Sequence, residues 1–312
     1  MRAMSRQEST TQETHAHAPA SIGTTSSPVP RDMEGVLRAI PGVRGLFLLL
    51  EEVRGKLGQA YFLESRPPEK YGFDFDAAAR SYVLMAILFR RYFRARCEGI
   101  EHLPPSPLML VANHGSHVLS WDGSNILSAC LLEASPPRLV HPMAEHRLME
   151  LPILGKAART IGAVNGNREV CIELLRQGSS VLTFPEGVKA LTKPFRRRYR
   201  LSEFGEGFMQ VAMKTGVPIV PVAVIGSEEE APLLFNARRL ARIVRTPVAP
   251  ITPTIVVPLP VRYRLHFGTP LHFDGPNTPS KVREGVARVR SAVESLLRIG
   301  LRRRDDRSST IL

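Results

Sequence analysis

The sequence predicts an α/β fold: a central, mostly parallel sheet flanked by helices and preceded by an N-terminal helical pair. Three observations carry this. From Gly99 onward, short apolar runs alternate with helical segments, the pattern of strands joined by crossover helices. Near the C-terminus Val282, Val286, Val289, Val293 and Leu296 recur at spacings of four and three, the stripe of a helix packed on a core. The chain is also long and apolar enough, at 312 residues and 43% hydrophobic content, to bury one large core.

In chain order, residues 1–32 are rich in Ser, Thr, Pro and Ala without hydrophobic period and are expected to be a disordered tail. Residues 33–98 are read as an N-terminal helical segment that docks on a membrane. One helix spans Met33 to Gly58, interrupted at Pro41 and carrying the apolar run Leu46 to Leu50. After Pro67-Pro68, Asp74 or Asp76 is placed to cap a second helix running to about Arg96. Its apolar block, Tyr82 to Phe89, ends in Arg90, Arg91, Arg94 and Arg96 among aromatic residues. That suits a helix in an anionic membrane interface, and equally a helix packed on the main domain with a solvated basic end. Residues 99–301 read as the α/β domain. Its strands are expected at Leu108–Ala112, Leu139–Pro142, Ser180–Phe184, Pro218–Ile225 and Val261–Phe267. Its helices are expected at Ser124–Glu133, Arg168–Gln177, Ser202–Thr215 and Ser280–Leu301. Residues 302–312 read as a basic C-terminal tail.

The formal charge of +13 calls for an anionic partner: nucleic acid, a phospholipid surface or a phosphorylated substrate. Cys97, Cys130 and Cys171 lack any CxxC pattern and read as reduced thiols rather than a disulfide or zinc framework. No segment approaches the roughly 18 consecutive apolar residues of a membrane span, and the N-terminus lacks a secretory apolar region. The expected location is cytoplasmic, with peripheral association at the inner membrane face.

The most informative stretch is Asn113-His114-Gly115-Ser116-His117-Val118-Leu119-Ser120-Trp121-Asp122. It joins an apolar strand to a helix, where α/β folds tend to place their chemistry. Imidazole beside carboxylate is a simple arrangement for removing a proton near neutral pH, since the carboxylate fixes the tautomer and stabilises the imidazolium. Phe184-Pro185-Glu186-Gly187-Val188-Lys189 closes another strand in a turn. Gly162-Ala163-Val164-Asn165-Gly166-Asn167-Arg168 delivers an arginine to the start of a helix, where guanidinium and backbone N–H groups can hold a phosphate. Val217-Pro218-Ile219-Val220-Pro221-Val222 is a buried strand with two prolines.

In this order and at these separations the four blocks resemble the glycerolipid acyltransferase family, also called the lysophospholipid or 1-acylglycerol-3-phosphate acyltransferase family. Its blocks are an NHxxxxD motif, a glycine-to-arginine motif, an FPEG motif and a proline-containing apolar strand. The resemblance covers about residues 99 to 270. It implies transfer of a fatty acyl group from acyl-CoA or acyl carrier protein to a glycerolipid hydroxyl, with no metal and no bound cofactor. It also implies a helical pair that brings the site to an anionic membrane surface. Catalytic residues would be His114, His117 and Asp122; Arg168, Glu186, Gly187 and Lys189 would bind substrate.

Two departures bear on the site. Only His117 has four residues between it and Asp122, as the HX4D motif requires, whereas His114, with seven between, directly follows Asn113 at the strand end. Strand context favours His114 as the base, because a loop can bulge while a strand end is fixed. Val188-Lys189 replaces the family's Thr-Arg after FPEG, so an ammonium stands where a guanidinium fork would be. The run Lys189, Lys193, Arg196, Arg197, Arg198 and Arg200 is either a solvated face or a binder of lipid or CoA phosphates. Without a recognisable nucleic-acid module, a nucleic-acid partner is not expected. Two alternatives stay open: a metal-dependent hydrolase using His114, His117 and Asp122, and a non-enzymatic peripheral lipid-binding protein.

Overall fold

The computed structural model describes residues 41–63, 71–105, 107–115, 119–237, 239, 250–252, 254 and 257–309. The expected tail at 1–32, the first part of the expected helix from Met33, and His117 lie outside the described residues. Helix α1 is described over Pro41–Leu63. Val53, Leu57 and Ala60 are fully buried on one face of α1. Helix α2, Phe75–Ile87, is capped by Asp74, whose carboxylate accepts from the Ala77 N–H at 2.7 Å. It passes into a wide turn at Leu88–Tyr92. Arg90 makes a two-bond fork with Glu52, at 2.8 and 2.7 Å, fastening α2 to α1.

Here the structure departs from expectation. The second helix does not reach Arg96, because Arg94 takes a left-handed conformation (φ 44°) and breaks the helical path. Arg96–Glu98 instead form strand β1. The remaining strands are β2 Met109–Ala112, β3 Val140–Ala144, β4 Val164–Asn165, β5 Ser180–Thr183, β6 Ile219–Ile225, β7 Phe235–Asn236, β8 Pro250–Ile251 and β9 Arg264–Phe267. Seven of these form one sheet in the order β1-β9-β6-β2-β5-β3-β4, while β7 and β8 pair separately. All pairings in the large sheet are parallel except β6 with β9, where the chain returns antiparallel.

The other α-helices are α3 Trp121–Leu132, α4 His146–Glu150, α5 Pro152–Thr160, α6 Arg168–Arg176, α7 Gly207–Thr215 and α8 Pro279–Ser309, with short helical turns at Ile100–His102, Gly187–Thr192 and Phe195–Arg197. The core lies on both faces of the sheet. Leu108, Leu110, Ala112, Val220, Val222 and Val224 pack with α1, α2 and α3. Their alternate neighbours Met109, Val111, Ile219, Ala223 and Ile225 pack with α6, α7 and α8. Burial on both faces is why these strands read as unbroken apolar runs.

Helix α3 begins at Trp121, three residues before the expected Ser124, and β9 at Arg264, three after the expected Val261; the larger differences are in α7 and α8. Helix α7 starts at Gly207 rather than Ser202, because the Ser202 N–H donates to Glu186 and the Gly205 N–H to the Pro185 carbonyl, holding that segment extended. Helix α8 continues through most of the expected basic tail, to Ser309. Its last turns are anchored by Arg303 on Glu98 and by Arg304 on Glu229, the latter at 2.6 Å. Among the described residues no helix is long and apolar enough to cross a membrane.

Candidate active site

The parallel register places the C-terminal ends of β5, β2 and β6 side by side, with Val111 opposite Thr183 and Ala112 opposite Val222. Asn113, His114, Phe184 and Glu186 emerge from the β2 and β5 ends, and Gly226 to Glu230 from the β6 end. Asn113 is fully buried and fixes the exit of β2: its amide donates to the Val224 carbonyl at 3.0 Å and accepts from the Val224 N–H at 2.7 Å.

The next residue carries the chemistry. His114 Nδ1 lies 2.7 Å from Asp122 Oδ2, although seven residues lie between them in sequence. Asp122, in the first turn of α3 and only 1% exposed, accepts three further bonds. These come from the Gly115 N–H at 2.6 Å, the Ser120 hydroxyl at 2.8 Å and the Gly123 N–H at 2.7 Å. Ser120 adopts a left-handed conformation (φ 47°), an uncommon geometry that aims its hydroxyl back at Asp122 and places local strain at the site. Gly115 is required by space, since a Cβ there would lie 2.7 Å from the Ser227 carbonyl oxygen. The His114 ring stacks on Phe184, centroids 4.3 Å apart and planes at 23°.

Burial disfavours the charged form of His114, but the Asp122 charge and hydrogen bond, helped by the Glu186 charge, outweigh it; Lys193 acts against, and His114 titrates above its ordinary value. Burial likewise opposes the Asp122 carboxylate, yet His114 and the Gly115 and Ser120 donors hold it below the usual carboxylate range. A carboxylate at Nδ1 favours the tautomer with its lone pair on Nε2, the form suited to accept a proton. The His114 side chain keeps 14% exposure.

Glu186 is buried beneath this loop. Its Oε1 accepts from the His114 N–H at 3.3 Å and its Oε2 from the Ser202 N–H at 2.7 Å. Lys193 Nζ lies 3.1 Å from Glu186 Oε2 and donates to Glu228 Oε1 at 3.1 Å. Gly187 has φ 57°, a left-handed conformation that glycine adopts without penalty. Lys189 is exposed and 3.4 Å from Glu203. Arg168 is exposed at the start of α6 beside Gly207, where a Cβ would be 3.6 Å from its Nε. The structure thus brings His114, Asp122 and Glu186 together, while Gly187, Lys189 and Arg168 lie on the exposed surface. His141 stands apart, buried and bonded through Nδ1 to the Gly162 carbonyl at 2.8 Å; burial lowers its pKa. Burial pushes the Cys97 and Cys171 thiols up to about 12, which keeps them protonated.

Sequence reasoning missed Lys193 and Glu228 as parts of the site. Lys193 was grouped with a basic run of surface residues, but its side chain is 5% exposed. A signal was present: three consecutive glutamates, Glu228 to Glu230, directly after a buried strand demand partners. They have them, in Lys193, Arg304 and the Tyr263 hydroxyl, respectively.

Comparison with known proteins gives the family. The Acyltransferase family model matches residues 94–225. An uncharacterized protein of Mycobacterium tuberculosis is 34% identical over 83% of this chain and 72% of its own length. The chloroplastic 1-acyl-sn-glycerol-3-phosphate acyltransferase LPAT1 of Arabidopsis thaliana is 28% identical over 50% of this chain and 44% of its own. The crystal structure of the 1-acyl-sn-glycerophosphate (LPA) acyltransferase PlsC from Thermotoga maritima aligns with a TM-score of 0.47 and 22% identity, over 80% of this chain and 95% of that one. The chain belongs to the glycerolipid acyltransferase family and is an O-acyltransferase.

Proposed function

We propose that this acyltransferase moves a fatty acyl group from an acyl thioester, acyl-CoA or acyl carrier protein, to a glycerolipid hydroxyl, with His114 as general base. The observation that carries this is the 2.7 Å contact between His114 Nδ1 and an Asp122 whose two oxygens are occupied by four donors. His114 Nε2 takes the proton of the acceptor hydroxyl as its oxygen bonds to the thioester carbonyl carbon. The carbon–sulfur bond then breaks, and the imidazolium returns the proton to the departing thiolate. Asp122 stabilises the imidazolium between these steps. General-base assistance of this kind is worth about a hundredfold to ten-thousandfold in rate.

The same saturation supports a reaction without a bound metal at Asp122, because a carboxylate offers about four lone-pair directions and all are directed at protein donors. Arg168 and Lys189 are assigned to anionic groups of the substrates, and Gly187 to the turn that exposes them. Leu46 and Leu48 on α1 and Leu84 on α2, at 50, 56 and 58% exposure, together with the +13 charge, support peripheral attachment to the anionic inner face of a membrane.

The test is acyl transfer by detergent-purified protein from labelled acyl-CoA to a panel of lysophosphatidic acid, other lysophospholipids and neutral glycerolipids. Wild type runs beside His114→Ala, His117→Ala and Asp122→Asn, with and without chelator. Loss in His114→Ala and Asp122→Asn but not in His117→Ala, indifferent to chelator, is the expected result. Loss on chelation would instead favour a metal-dependent hydrolase. Liposome binding without transfer, unchanged in every variant, would favour a non-enzymatic lipid binder.

A further inference from the structure

Three ionisable side chains beyond the His114–Asp122 pair are buried under the same loop: Glu186 at 0%, Glu228 at 4% and Lys193 at 5% side-chain exposure. Lys193 Nζ is 3.1 Å from a carboxylate oxygen of each glutamate. The other bonds of the two glutamates show what this ammonium holds. Glu186 accepts from the backbone N–H groups of His114 and Ser202. Glu228 accepts from the Tyr199 N–H at 3.1 Å, and the Tyr199 hydroxyl accepts from the Gly226 N–H at 2.8 Å. The loops after β5 and β6 therefore meet through one ammonium, directly behind the backbone of the histidine.

We propose that Lys193 is a positioning residue for acyl transfer: it bridges Glu186 and Glu228 so that the Glu186 carboxylate stays aimed at the His114 N–H. The proposal rests on the reading of His114 as the base. Buried ion pairs are weak sources of stability, since desolvation offsets most of the attraction; here the contact holds the Glu186 carboxylate whose other oxygen accepts from the His114 N–H. A base displaced by about 1 Å loses on the order of a hundredfold in rate. Two carboxylates share one ammonium here, at 3.1 Å from each. Burial, with the Glu186 charge adding, pushes Glu228 up to about 7 against the pull of Lys193 and the Tyr199 N–H.

The charged groups acting on the His114 imidazole are Asp122 from α3, Glu186 from the β5 loop and Lys193 from the segment that follows it. Asp122 and Glu186 favour the imidazolium and Lys193 disfavours it, so removing Lys193 or Glu186 has opposite effects on when the base is free. Simple loss of packing would not produce that opposition.

The experiment measures kcat, KM and the pH profile of kcat/KM for full-length wild type, Lys193→Met, Lys193→Gln, Lys193→Arg, Glu186→Gln and His114→Ala. All are assayed with acyl-CoA and an acceptor on which wild type turns over, after circular dichroism establishes folding. Lys193→Gln, polar but uncharged and one bond shorter than lysine, loses the bridge between the carboxylates and carries the same prediction should Lys193→Met fail to fold. The expected result is a kcat lower by about tenfold or more with KM for both substrates unchanged, and partial recovery in Lys193→Arg. The acidic limb should move to higher pH without the lysine charge and to lower pH in Glu186→Gln. Wild-type kcat with an unmoved limb would overturn the proposal, as would a raised KM with kcat retained, which would make Lys193 a substrate contact. An active His114→Ala variant would instead remove the base reading itself, and the proposal with it.

Discussion

Asn113 and Val224 complete a backbone ladder with a side chain. Strand β2 ends at Ala112, opposite Val222, and the Asn113 amide then bonds both the N–H and the carbonyl of Val224. A side-chain amide, with one donor and one acceptor facing inward, imitates the next rung. The direction in which His114 leaves the sheet is thereby fixed.

Asn113→Ala should therefore cost stability as well as activity. It strands a buried N–H and a buried carbonyl, a loss of about 2–4 kcal/mol. Urea unfolding of the variant measures it, and a midpoint equal to wild type would contradict the role given to the amide.

The His114–Asp122 pair predicts a pH dependence with a definite sign. A base must be neutral, and His114 titrates above its ordinary value, so kcat/KM should fall on acidification through a pKa higher than that of a free imidazole. In Asp122→Asn the anion is gone and the His114 titration, followed by NMR of its ring protons, should move down. Activity in the same variant should drop by about a hundredfold or more with the circular dichroism spectrum retained.

Glu228 predicts a stability that declines with rising pH. Its folded pKa is about 7 against an ordinary 4.5, so the folded chain holds this proton more tightly than the unfolded chain. Stability from the group is fully present below the unfolded value and is lost as pH rises through the folded one. The span corresponds to about 3 kcal/mol at most. Glu228→Gln should flatten the fall in unfolding free energy between pH 5 and pH 8; an unchanged slope would count against the assignment. Glu230, also raised by burial, remains in both proteins and cancels in the comparison.

Gly115→Ala tests the tightness of the histidine loop. The added methyl would approach the Ser227 carbonyl oxygen to 2.7 Å and the Ser227 Cβ to 2.8 Å. Backbone must move, and with it the N–H that Gly115 gives to Asp122. The expected outcome is a kcat reduced by about tenfold or more, with a destabilisation of about 1–3 kcal/mol.

Leu48→Glu on α1 and Leu84→Glu on α2 replace exposed leucines, so their effect on folding should be small. Each should lower cosedimentation with anionic vesicles while leaving turnover of detergent-dispersed substrate intact. Equal vesicle binding would argue that membrane attachment lies elsewhere.

Much of this molecule was legible because its strands are buried on both faces, so Met109–Ala112 and Ile219–Ile225 stand out as apolar runs. Strands β1 and β4, three and two residues long, are too short to leave a pattern, and the left-handed turn at Arg94 that creates β1 has no glycine to announce it. At the site, the motif spacing pointed to His117 and the strand end to His114; among the described residues the contact with Asp122 is made by His114, and Ser120 turns its hydroxyl back to the same carboxylate. Lys193 was hidden for a different reason. Its neighbours Arg196, Arg197 and Arg198 are exposed, and nothing local marks one cation in a basic run as the buried one. Its partner Glu228 lies 35 residues away, a pairing that only the tertiary fold brings about.

The run Glu228-Glu229-Glu230 has a consequence for how the chain can change. Successive residues reach into three different parts of the molecule: the segment after β5, the C-terminal helix, and the lead into β9. Substituting one glutamate disturbs one of those attachments. Inserting or deleting a single residue just ahead of them would shift all three out of phase at once, so this loop should tolerate changes of side chain far better than changes of length.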